Sequence, residues 1–438
     1  MQGFTRIDSE FYQPHYLDLI ASLEKAQAKP LSEIADVVKR KFEPVSGKTF
    51  KYIEISEVDT QSGLINAVET NGEEAPSRAQ YVVQSGDVII SSVRPNRNAV
   101  ALISREHHGF VCSSGFVVLR PKSVSSEFLF ASLKAEYVRI LLDRQTTATM
   151  YPAVSEVDLI EVPLIVPAKS VISRMEEKVR KAKQLEADSE KLYLDAENLL
   201  ASELGLDKLD LSESLFNVRN VSDVINAARA DAEYFQEKYY RLENFIANNK
   251  FPYKTLGELI EPVKNGFDYR EFTDEGTPYI RVGDVRNGRI DTENSVKIPF
   301  EYDEIDKDVK LKIGDVLFTR KGTFGQAAVV RDRQEKSIIS SEIMLLRMKK
   351  EFSKDILPDY LALYFNSNFG YQQVIRRVHG VAYYSISQPD LAQILILIPK
   401  IPVQEKITEK ILSSLDAEKE AKRLLAEAKS AVEGMIEG

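Results

Sequence analysis

Two long stretches of the chain repeat one pattern, in which apolar and small residues recur at alternating steps of four and three. The first runs from Met175 to Leu200 and the second from Ile407 to Val432, so that a constant offset of 232 residues (407 − 175 and 432 − 200) relates them. These steps place the repeated residues on one face of a helix. Each stretch therefore predicts a long amphipathic helix.

Two matched helices of about 30 residues predict an antiparallel coiled coil. The alternative is a pair of independent helices with solvated Lys/Glu-rich surfaces, but it does not explain the repeat. The predicted seam residues are Met175, Val179, Ala182, Tyr193, Leu200, Ile407, Ile411, Leu425 and Val432.

The rest of the chain is repeated as well. Residues 6–13 (RIDSEFYQ) return as 229–236 (RADAEYFQ), and the turn and strand at 86–90 (GDVII) return as 314–318 (GDVLF). The charged and aromatic residues of the first pair are interpreted as structural anchors, because an aromatic pair suits the docking of a short helix. The chain is therefore predicted to be a duplication.

Several strands follow from the same comparison of the two halves. Alternating runs at 52–58 and 279–285 each predict a strand. Each half is also predicted to close with an apolar strand that ends in proline, over 158–167 and 390–399. The proline then leads into the long helix, as a helix entry signal should.

The predicted fold class is α/β (α+β): two repeated mixed α/β domains separated by two long helices, with a pseudo-twofold internal repeat. The predicted boundaries are an N-terminal segment at 1–28, a first domain at 29–169, a central helix and bridge at 170–228, a repeat of the N-terminal segment plus a second domain at 229–400, and a C-terminal long helix at 401–438.

Composition narrows the class of protein. A chain of 438 residues should hold two to four domains, and its hydrophobic and charged fractions of 43% and 29% are those of a globular protein. The single cysteine, Cys112, excludes an internal disulfide, and we expect a cytoplasmic protein. The net charge of −9 is uneven, since the acidic excess follows Lys169. Local basic clusters in the α/β stretches could therefore still contact phosphate.

A search for catalytic motifs finds none. Gly47-Lys48-Thr49 has the end of a phosphate loop, but Phe42 stands where its first glycine is required. The four histidines have no metal-binding spacing, and neither a dinucleotide fingerprint nor a nucleophile elbow occurs. The sequence predicts a non-catalytic chain without a metal or cofactor.

Over essentially its full length, the chain resembles the specificity subunits of type I restriction-modification systems. The resemblance rests on the twofold repeat, on the Arg-x-Asp-x-Glu-aromatic-aromatic segments, and on the runs 314–325 (GDVLFTRKGTFG) and 396–407 (ILIPKIPVQEKI). The first half departs from this pattern, because 91–96 (SSVRPN) replaces the glycine-rich loop.

The resemblance implies two target recognition domains that bind a bipartite, gapped sequence in double-stranded DNA. It also implies that the helices form the spacer and the docking surface for two modification (methyltransferase) subunits, which restriction subunits then join. A helix of about 33 residues spans roughly 50 Å, on the order of 15 base pairs.

Base readout uses Arg, Lys, Asn, Gln, Ser and Thr side chains on loops that face a groove. Each candidate alone is equally compatible with an ordinary surface loop, so the prediction rests on the loops as groups. The predicted DNA-binding residues are Arg94, Asn96, Arg97, Asn98, Arg144, Thr146, Thr147 and Tyr151 in the first half, and Lys264, Asn265, Tyr269, Arg270, Arg320, Lys321, Thr323, Arg376, Arg377, His379, Tyr383 and Tyr384 in the second.

Other interpretations stay open at this point. The main alternative is a coiled-coil adaptor whose two domains bind proteins and not DNA. A methyltransferase or nuclease with an unrecognised site is a third interpretation. A related bipartite restriction system with differently assembled subunits is a variant of the first.

Overall fold

The computed structural model describes residues 9–146, 152–299, 309–379 and 384–436. The chain divides into two compact units. Unit 1 comprises residues 1–189 and 416–438, and unit 2 comprises residues 190–415. Each unit includes one part of each long helix.

The helices, in chain order, are α1 (Pro14–Lys25), α2 (Leu31–Ile34), α3 (Ser126–Leu133), α4 (Glu136–Arg144), α5 (Glu156–Ile160), α6 (Lys169–Leu204), α7 (Val221–Ala227), α8 (Glu237–Ala247), α9 (Leu256–Leu259), α10 (Pro358–Asn366), α11 (Asn368–Arg376), α12 (Gln388–Ala392) and α13 (Ile401–Glu433). In the part of the chain that the structure describes, no helix combines the length and apolar character needed to cross a membrane.

The strands of unit 1 are β1 (Lys29–Pro30), β2 (Ala35–Val37), β3 (Thr49–Ile53), β4 (Val68–Asn71), β5 (Ala79–Val82), β6 (Val88–Ser91), β7 (Val100–Leu102), β8 (Val111–Ser113), β9 (Phe116–Pro121) and β10 (Pro163–Leu164). Those of unit 2 are β11 (Tyr253–Thr255), β12 (Lys264–Asn265), β13 (Thr277–Ile280), β14 (Val285–Arg286), β15 (Arg289–Ile290), β16 (Val296–Ile298), β17 (Val316–Thr319), β18 (Ala327–Val329), β19 (Ile338–Ile339), β20 (Ile343–Leu346) and β21 (Leu395–Leu397).

The two units share most of their sheet topology, although the second sheet has four strands in unit 1 (β4-β3-β8-β5) and three in unit 2 (β16-β13-β19). A four-stranded sheet has the order β2-β9-β6-β7 in unit 1 and β12-β20-β17-β18 in unit 2. A second sheet contains one parallel pair in each unit, β3 with β8 and β13 with β19. A third pairing, β1 with β10 and β11 with β21, joins the start of each α/β portion to its end. The predicted mixed α/β fold with an internal repeat is confirmed.

A buried aspartate fixes the turn that enters the central strand of each four-stranded sheet. In unit 1 the carboxylate of Asp87 is fully buried and pairs with Arg40 at 2.7 Å and with Arg120 at 2.6 Å. In unit 2 Asp315 occupies the equivalent turn and pairs with Arg347 at 2.7 Å. Burying a carboxylate is costly unless charged hydrogen bonds replace its water. Each pair therefore ties the turn firmly to its neighbouring strands.

The two long helices pair antiparallel within both units. In unit 1 Ala182 of α6 lies in one buried cluster with Ala421 of α13, and Lys178 pairs with Glu427 at 2.6 Å. In unit 2 the later part of α6 meets the earlier part of α13, so that residues of both helices, such as Leu200 and Ile411, join one core.

The predicted seam falls on the packed faces of these helices. Met175, Val179, Ala182, Leu200, Ile407, Ile411 and Val432 are buried, and Tyr193 and Leu425 are half-buried. Apart from Ala182, which packs between the two helices, the seam residues join or pack against the hydrophobic core of the α/β portion of their unit. The helices therefore pack as integral parts of the two units.

Two of the expected strands are shorter than the alternating pattern predicts. The strand expected at 52–58 ends at Ile53, and the strand expected at 279–285 ends at Ile280. A 3-10 turn follows each of them. In unit 2 the side chain of Asp284 accepts a hydrogen bond from the backbone N–H of Arg281 at 2.8 Å. This local hydrogen bond competes with hydrogen bonds of the sheet and ends the strand. The alternation of apolar and polar residues does not reveal such a bond.

The closing strands also differ from the prediction. The apolar runs expected to be strand from 158 and from 390 begin as the short helices α5 and α12, and only β10 and β21 are extended. The side chain of Ser155 caps α5 and that of Ser387 caps α12, each accepting a hydrogen bond from a backbone N–H three residues later. A serine N-cap is a strong helix signal that an apolar run obscures.

The bridge between the halves is only partly packed. Its leucines at 209 and 211 pack partly against the core of unit 2, but the following segment and α7 expose a group of large apolar side chains. This group, the apolar bridge, consists of Leu215, Phe216, Val218, Val221 and Ile225.

A buried lysine of unit 1 connects two loops, and the sequence analysis does not predict it. The ammonium group of Lys134, which follows α3, donates hydrogen bonds to the carbonyls of Thr60 at 2.8 Å and Asn98 at 3.3 Å. Burial lowers the pKa of Lys134 to about 7, with Lys183 acting in the same direction and Asp59 and Glu186 opposing it. Its only sequence signal is a lysine inside an apolar helical run.

The seam can be tested with two neighbouring apolar residues of α13. Ile411 is 4% exposed and Leu412 is 40% exposed. We expect Ile411→Ala to lower the free energy of unfolding by about 2–4 kcal/mol, because it removes buried methylene groups and leaves a cavity. Leu412→Ala should cost well under ~1 kcal/mol. Denaturant unfolding followed by circular dichroism measures both, and equal losses would contradict the assigned seam.

The buried lysine predicts a pH dependence of stability. Because the folded pKa of about 7 lies below the unfolded value of 10.5, the unfolded chain binds the proton that the folded chain has released. The free energy of unfolding should therefore rise from pH 7 to pH 9, by about 2 kcal/mol from this group. Lys134→Met should remove that part of the rise, measured by urea unfolding at both pH values. The exposed control Lys48→Met should retain it, and an unchanged rise in Lys134→Met would contradict the assignment.

Candidate nucleic-acid interface

The predicted loops of unit 2 meet at one end of its four-stranded sheet. Lys321 forms an isolated antiparallel bridge with Ser385, and the N–H of Ile386 donates a hydrogen bond to the carbonyl of Arg320 at 3.2 Å. The loop at 264–270 joins them, because the side-chain amide of Gln388 donates to the side-chain oxygen of Asn265 at 2.8 Å. We call this group of loops, 264–270, 320–325 and 379 with 384–388, the unit 2 loop surface.

Six of the predicted side chains are accessible on the unit 2 loop surface. They are Lys264, Arg270, Lys321, Thr323, His379 and Tyr384. The ring of Tyr384 lies 6.0 Å from that of Phe324, which stacks on Tyr371 at 5.7 Å and an angle of 22°. The surface thus combines cations with aromatic rings, a combination that suits nucleic acid.

Other predicted residues of unit 2 are held by the protein. Asn265 accepts a hydrogen bond from the amide of Gln388 at 2.8 Å, and Arg377 donates to the carbonyl of Gln373 at 3.2 Å. Burial lowers the pKa of Arg377, and the neighbouring Arg376 adds to the effect. Tyr269 and Arg320 are half-buried beside the same loops. These residues shape the surface more than they extend from it.

Arg376 lies in the interior of unit 2. It is 5% exposed, forms an ion pair with Glu243 of α8, and donates to the carbonyl of Tyr234 at 3.3 Å. The guanidinium carbon also lies 4.9 Å from the ring centre of Tyr240. Its burial leaves no face for a base or a phosphate, so Arg376 is excluded from the interface proposed below. Arg229, interpreted as an anchor, donates to the carbonyl of Val378 at 3.2 Å and holds the same corner.

Unit 1 builds the same junction between its two predicted loops. Val93 forms an isolated antiparallel bridge with Ala153, and the N–H of Val154 donates to the carbonyl of Ser92 at 2.9 Å. These contacts match the bridge of Lys321 and the bond to Arg320 in unit 2. Among the predicted residues here, Asn96 and Arg97 are exposed and Arg94 is half-buried.

The loop after β6 adopts the backbone of a glycine-rich loop without glycine. Arg94 and Asn98 have φ values of 49° and 55°, and Gly322 and Gly325 have 72° and 83° in the matching loop of unit 2. A left-handed conformation costs a non-glycine residue roughly 1–2 kcal/mol. Asn98 offsets part of this cost by donating a hydrogen bond to the carbonyl of Lys134 at 3.0 Å. The departure seen in the sequence therefore changes the side chains but keeps two left-handed residues, which are four positions apart in unit 1 and three apart in unit 2.

The second predicted loop of unit 1 begins with residues that serve the fold. Arg144 donates to the carbonyl of Phe11 at 2.9 Å and its guanidinium carbon lies 3.6 Å from the centre of that ring. Thr146 donates to the carbonyl of Asp143 at 2.7 Å. The predicted residues Thr147, Tyr151 and Tyr383 lie outside the described residues.

Known proteins resemble this chain in sequence. Residues 248–429 match the family model described as type I restriction modification DNA specificity domain. The chain is 20% identical over 340 residues to the type I restriction enzyme EcoKI specificity subunit of Escherichia coli strain K12, over 74% of this chain and 67% of that protein. It is 26% identical over 137 residues to the EcoBI specificity subunit of Escherichia coli, over 31% of this chain and 28% of that protein.

Solved structures align over most of the chain. The HsdS subunit from Thermoanaerobacter tengcongensis aligns over 94% of this chain and 96% of its own length, at 19% identity and a TM-score of 0.34. The type I restriction-modification S subunit from M. genitalium aligns over 93% and 94%, at 12% identity and a TM-score of 0.42. The fold of this chain is defined by its own repeated sheets and paired helices.

The matched family model covers most of the second α/β portion and of α13, and unit 1 repeats the same sheets and the same loop junction. The chain is thus similar to type I restriction-modification specificity subunits, and its residues 248–429 match the DNA specificity domain of that family.

Proposed function

We propose that the chain recognises a bipartite, gapped sequence in double-stranded DNA, with each unit reading one half of it. The observation that carries this proposal is the repeated junction, in which the loop after the central strand is bonded to the segment before the closing helix. In both units the junction presents cationic or amide side chains to solvent. Two equivalent surfaces on one chain suit two half-sites.

The chemistry of the exposed side chains divides into two roles. Lysine is a point charge that binds phosphate, so Lys264 and Lys321 position the duplex. Arg97 and Asn96 can reach base edges, because arginine matches guanine and asparagine matches adenine in the major groove. The net charge of −9 means that this attraction is local to the loops.

In this proposal the paired helices set the spacer between the half-sites, and catalysis belongs to partner subunits. Two methyltransferase subunits dock on the chain and modify the DNA that it selects, and restriction subunits join this complex. The chain itself takes no part in bond making or breaking. The adaptor alternative differs in one property, since an adaptor would have no sequence-dependent affinity for DNA.

The apolar bridge supports the partner part of the proposal. Leu215, Phe216 and Val218 are 104%, 81% and 81% exposed, and Ile225 on α7 is 71% exposed. A group of large apolar side chains so close in sequence is unusual on the surface of a protein that works alone. We assign the apolar bridge as a docking surface for a methyltransferase subunit.

A single lysine tests DNA binding by the unit 2 loop surface. Lys321→Ala should raise the Kd for a duplex selected by the wild-type chain roughly 3- to 10-fold, and lower the dependence of log Kd on log salt by about one. The matched control is Lys354→Ala, which changes an exposed lysine outside the loop surface. Fluorescence anisotropy over a salt series measures both variants.

Two results would count against the proposal. Identical affinity and salt dependence in Lys321→Ala and wild type would remove Lys321 from the interface. A wild-type chain that binds all duplexes equally, or none, would favour the adaptor alternative.

The apolar bridge is tested by its effect on subunit assembly. The double variant Phe216→Ser, Ile225→Ser should weaken binding to methyltransferase subunits roughly tenfold or more, because two large apolar side chains would no longer be buried. Its melting temperature should stay within a few degrees of wild type, since both residues are exposed. Val157→Ser, at a 68% exposed position of unit 1, is the control. Unchanged affinity, measured by isothermal titration calorimetry, would exclude the apolar bridge from this interface.

A further inference from the structure

Unit 2 contains an open cavity of about 440 Å³ beside its loop surface. The loop at 264–270 forms one wall through Asp268 and Tyr269, and the turn after β13 forms another through Arg281. The remaining wall includes Ser340 and Glu342, between β19 and β20. The cavity thus joins two carboxylates, a guanidinium and a hydroxyl next to the loops that we assign to DNA.

The backbone shows what occupies the same place in unit 1. The N–H of Arg320 donates to the carbonyl of Glu342 at 2.9 Å, and the N–H of Ser92 donates to the carbonyl of Gly115 at 2.9 Å. The parallel strand pairs have the same register in both units, with Tyr52 and Tyr279 at equivalent positions. Glu342 therefore stands where unit 1 has Gly115.

Unit 1 closes this place with an apolar side chain. A Cβ atom added to Gly115 would lie 2.6 Å from Cδ1 of Ile55, so the side chain of Ile55 fills the space. Ile55 opens the 3-10 turn of unit 1, as Val282 opens that of unit 2, and the residue before each is Glu54 or Arg281. The charged cavity is therefore a feature of unit 2 that the shared scaffold does not require.

The polar groups of the cavity are only partly satisfied. Among the described residues, the buried hydroxyl of Ser340 has no hydrogen-bond partner, although Ser340 is 2% exposed. Arg281 approaches Asp284 no closer than 3.9 Å and lies 5.5 Å from the ring centre of Phe272. The Ser340 hydroxyl has almost no accessible surface, so the exposed Arg281 and the half-buried Glu342 are the groups that a ligand can reach. The cavity is suited to a polar ligand group.

The carboxylate of Glu342 restricts which polar group of DNA the cavity can bind. Phosphates repel a carboxylate, so the carboxylate stabilises a complex when it accepts a hydrogen bond from an exocyclic amino group of a base. Cytosine N4 is the usual partner of Glu or Asp in the major groove. Guanine N7 and O6, on the other base of the same pair, are the usual partners of arginine. Glu342 and Arg281 together therefore match the two edges of one G·C pair.

We propose that this cavity reads a G·C pair in the half-site of unit 2, with Glu342 accepting from cytosine N4 and Arg281 donating to guanine O6 and N7. This inference rests on the proposed function. It makes Glu342 a specificity-determining residue of unit 2, with no counterpart in unit 1, where glycine and Ile55 occupy the site.

The test is selection from a randomised duplex pool by the full-length chain in complex with methyltransferase subunits. Wild type should select a G·C pair at one position of one half-site. Glu342→Gln should change the preference for cytosine to adenine there, by roughly tenfold, because an amide matches adenine N6 and N7. Arg281→Ala should lose the preference for guanine at the same base pair. The other half-site should be unchanged in both variants.

The control is Glu351→Gln, an exposed glutamate near the far end of β20, which should select the wild-type sequence. If Glu342→Gln is folded, as judged by its melting temperature, and selects the wild-type sequence, the inference is overturned while the proposed function stands. A uniform loss of affinity without a change of sequence overturns it as well. Wild type without any sequence preference would refute the proposed function itself.

Discussion

Burial of one apolar face on each long helix is the interaction on which the rest of the structure depends. In unit 1 the face of α6 that carries Val179 joins the core of the α/β portion together with Val432 of α13. In unit 2 Leu200 and Ile407 do the same from the other parts of the two helices. Neither α/β portion completes its core without both helices. The pairing of the helices is thus part of the folding of each unit.

In each unit the same contacts position the loop junction relative to the sheet. The buried pairs of Asp87 with Arg120 and of Asp315 with Arg347 fix one end of the central strand, and the junction lies at the other end. Because these pairs and the strand registers are shared, the side chains of the loops are free to differ. Ile55 and Gly115 close the site in unit 1 that Glu342 leaves open in unit 2. A rigid repeated scaffold with different loops suits recognition of two different half-sites.

Much of this architecture could be predicted from the sequence because the sequence contains an internal repeat. The offset of 232 residues between the helical patterns indicated two equivalent helices, and the repeated Gly-Asp turns indicated two equivalent sheets. Features that depend on distant partners could not be predicted. The sequence predicts Arg376 as a loop cation, but its partner Glu243 lies 133 residues earlier in the chain. The burial of Lys134 depends in the same way on the carbonyl of Thr60. The short helices at 156 and 388 do not follow from the sequence pattern, because the apolar runs from 158 and 390 favour strand and hide the serine caps that precede them.

Recognition of a gapped motif by this chain can be measured in the host, by comparing modified adenine in DNA with the gene intact and with the gene deleted. Deletion is expected to remove methylation from one gapped motif, with modified adenine in both halves. Complementation with Glu342→Gln should then restore methylation at a motif altered in one half alone. A host in which the methyltransferase subunits are active, but whose methylated motifs are the same with and without this chain, would contradict the account.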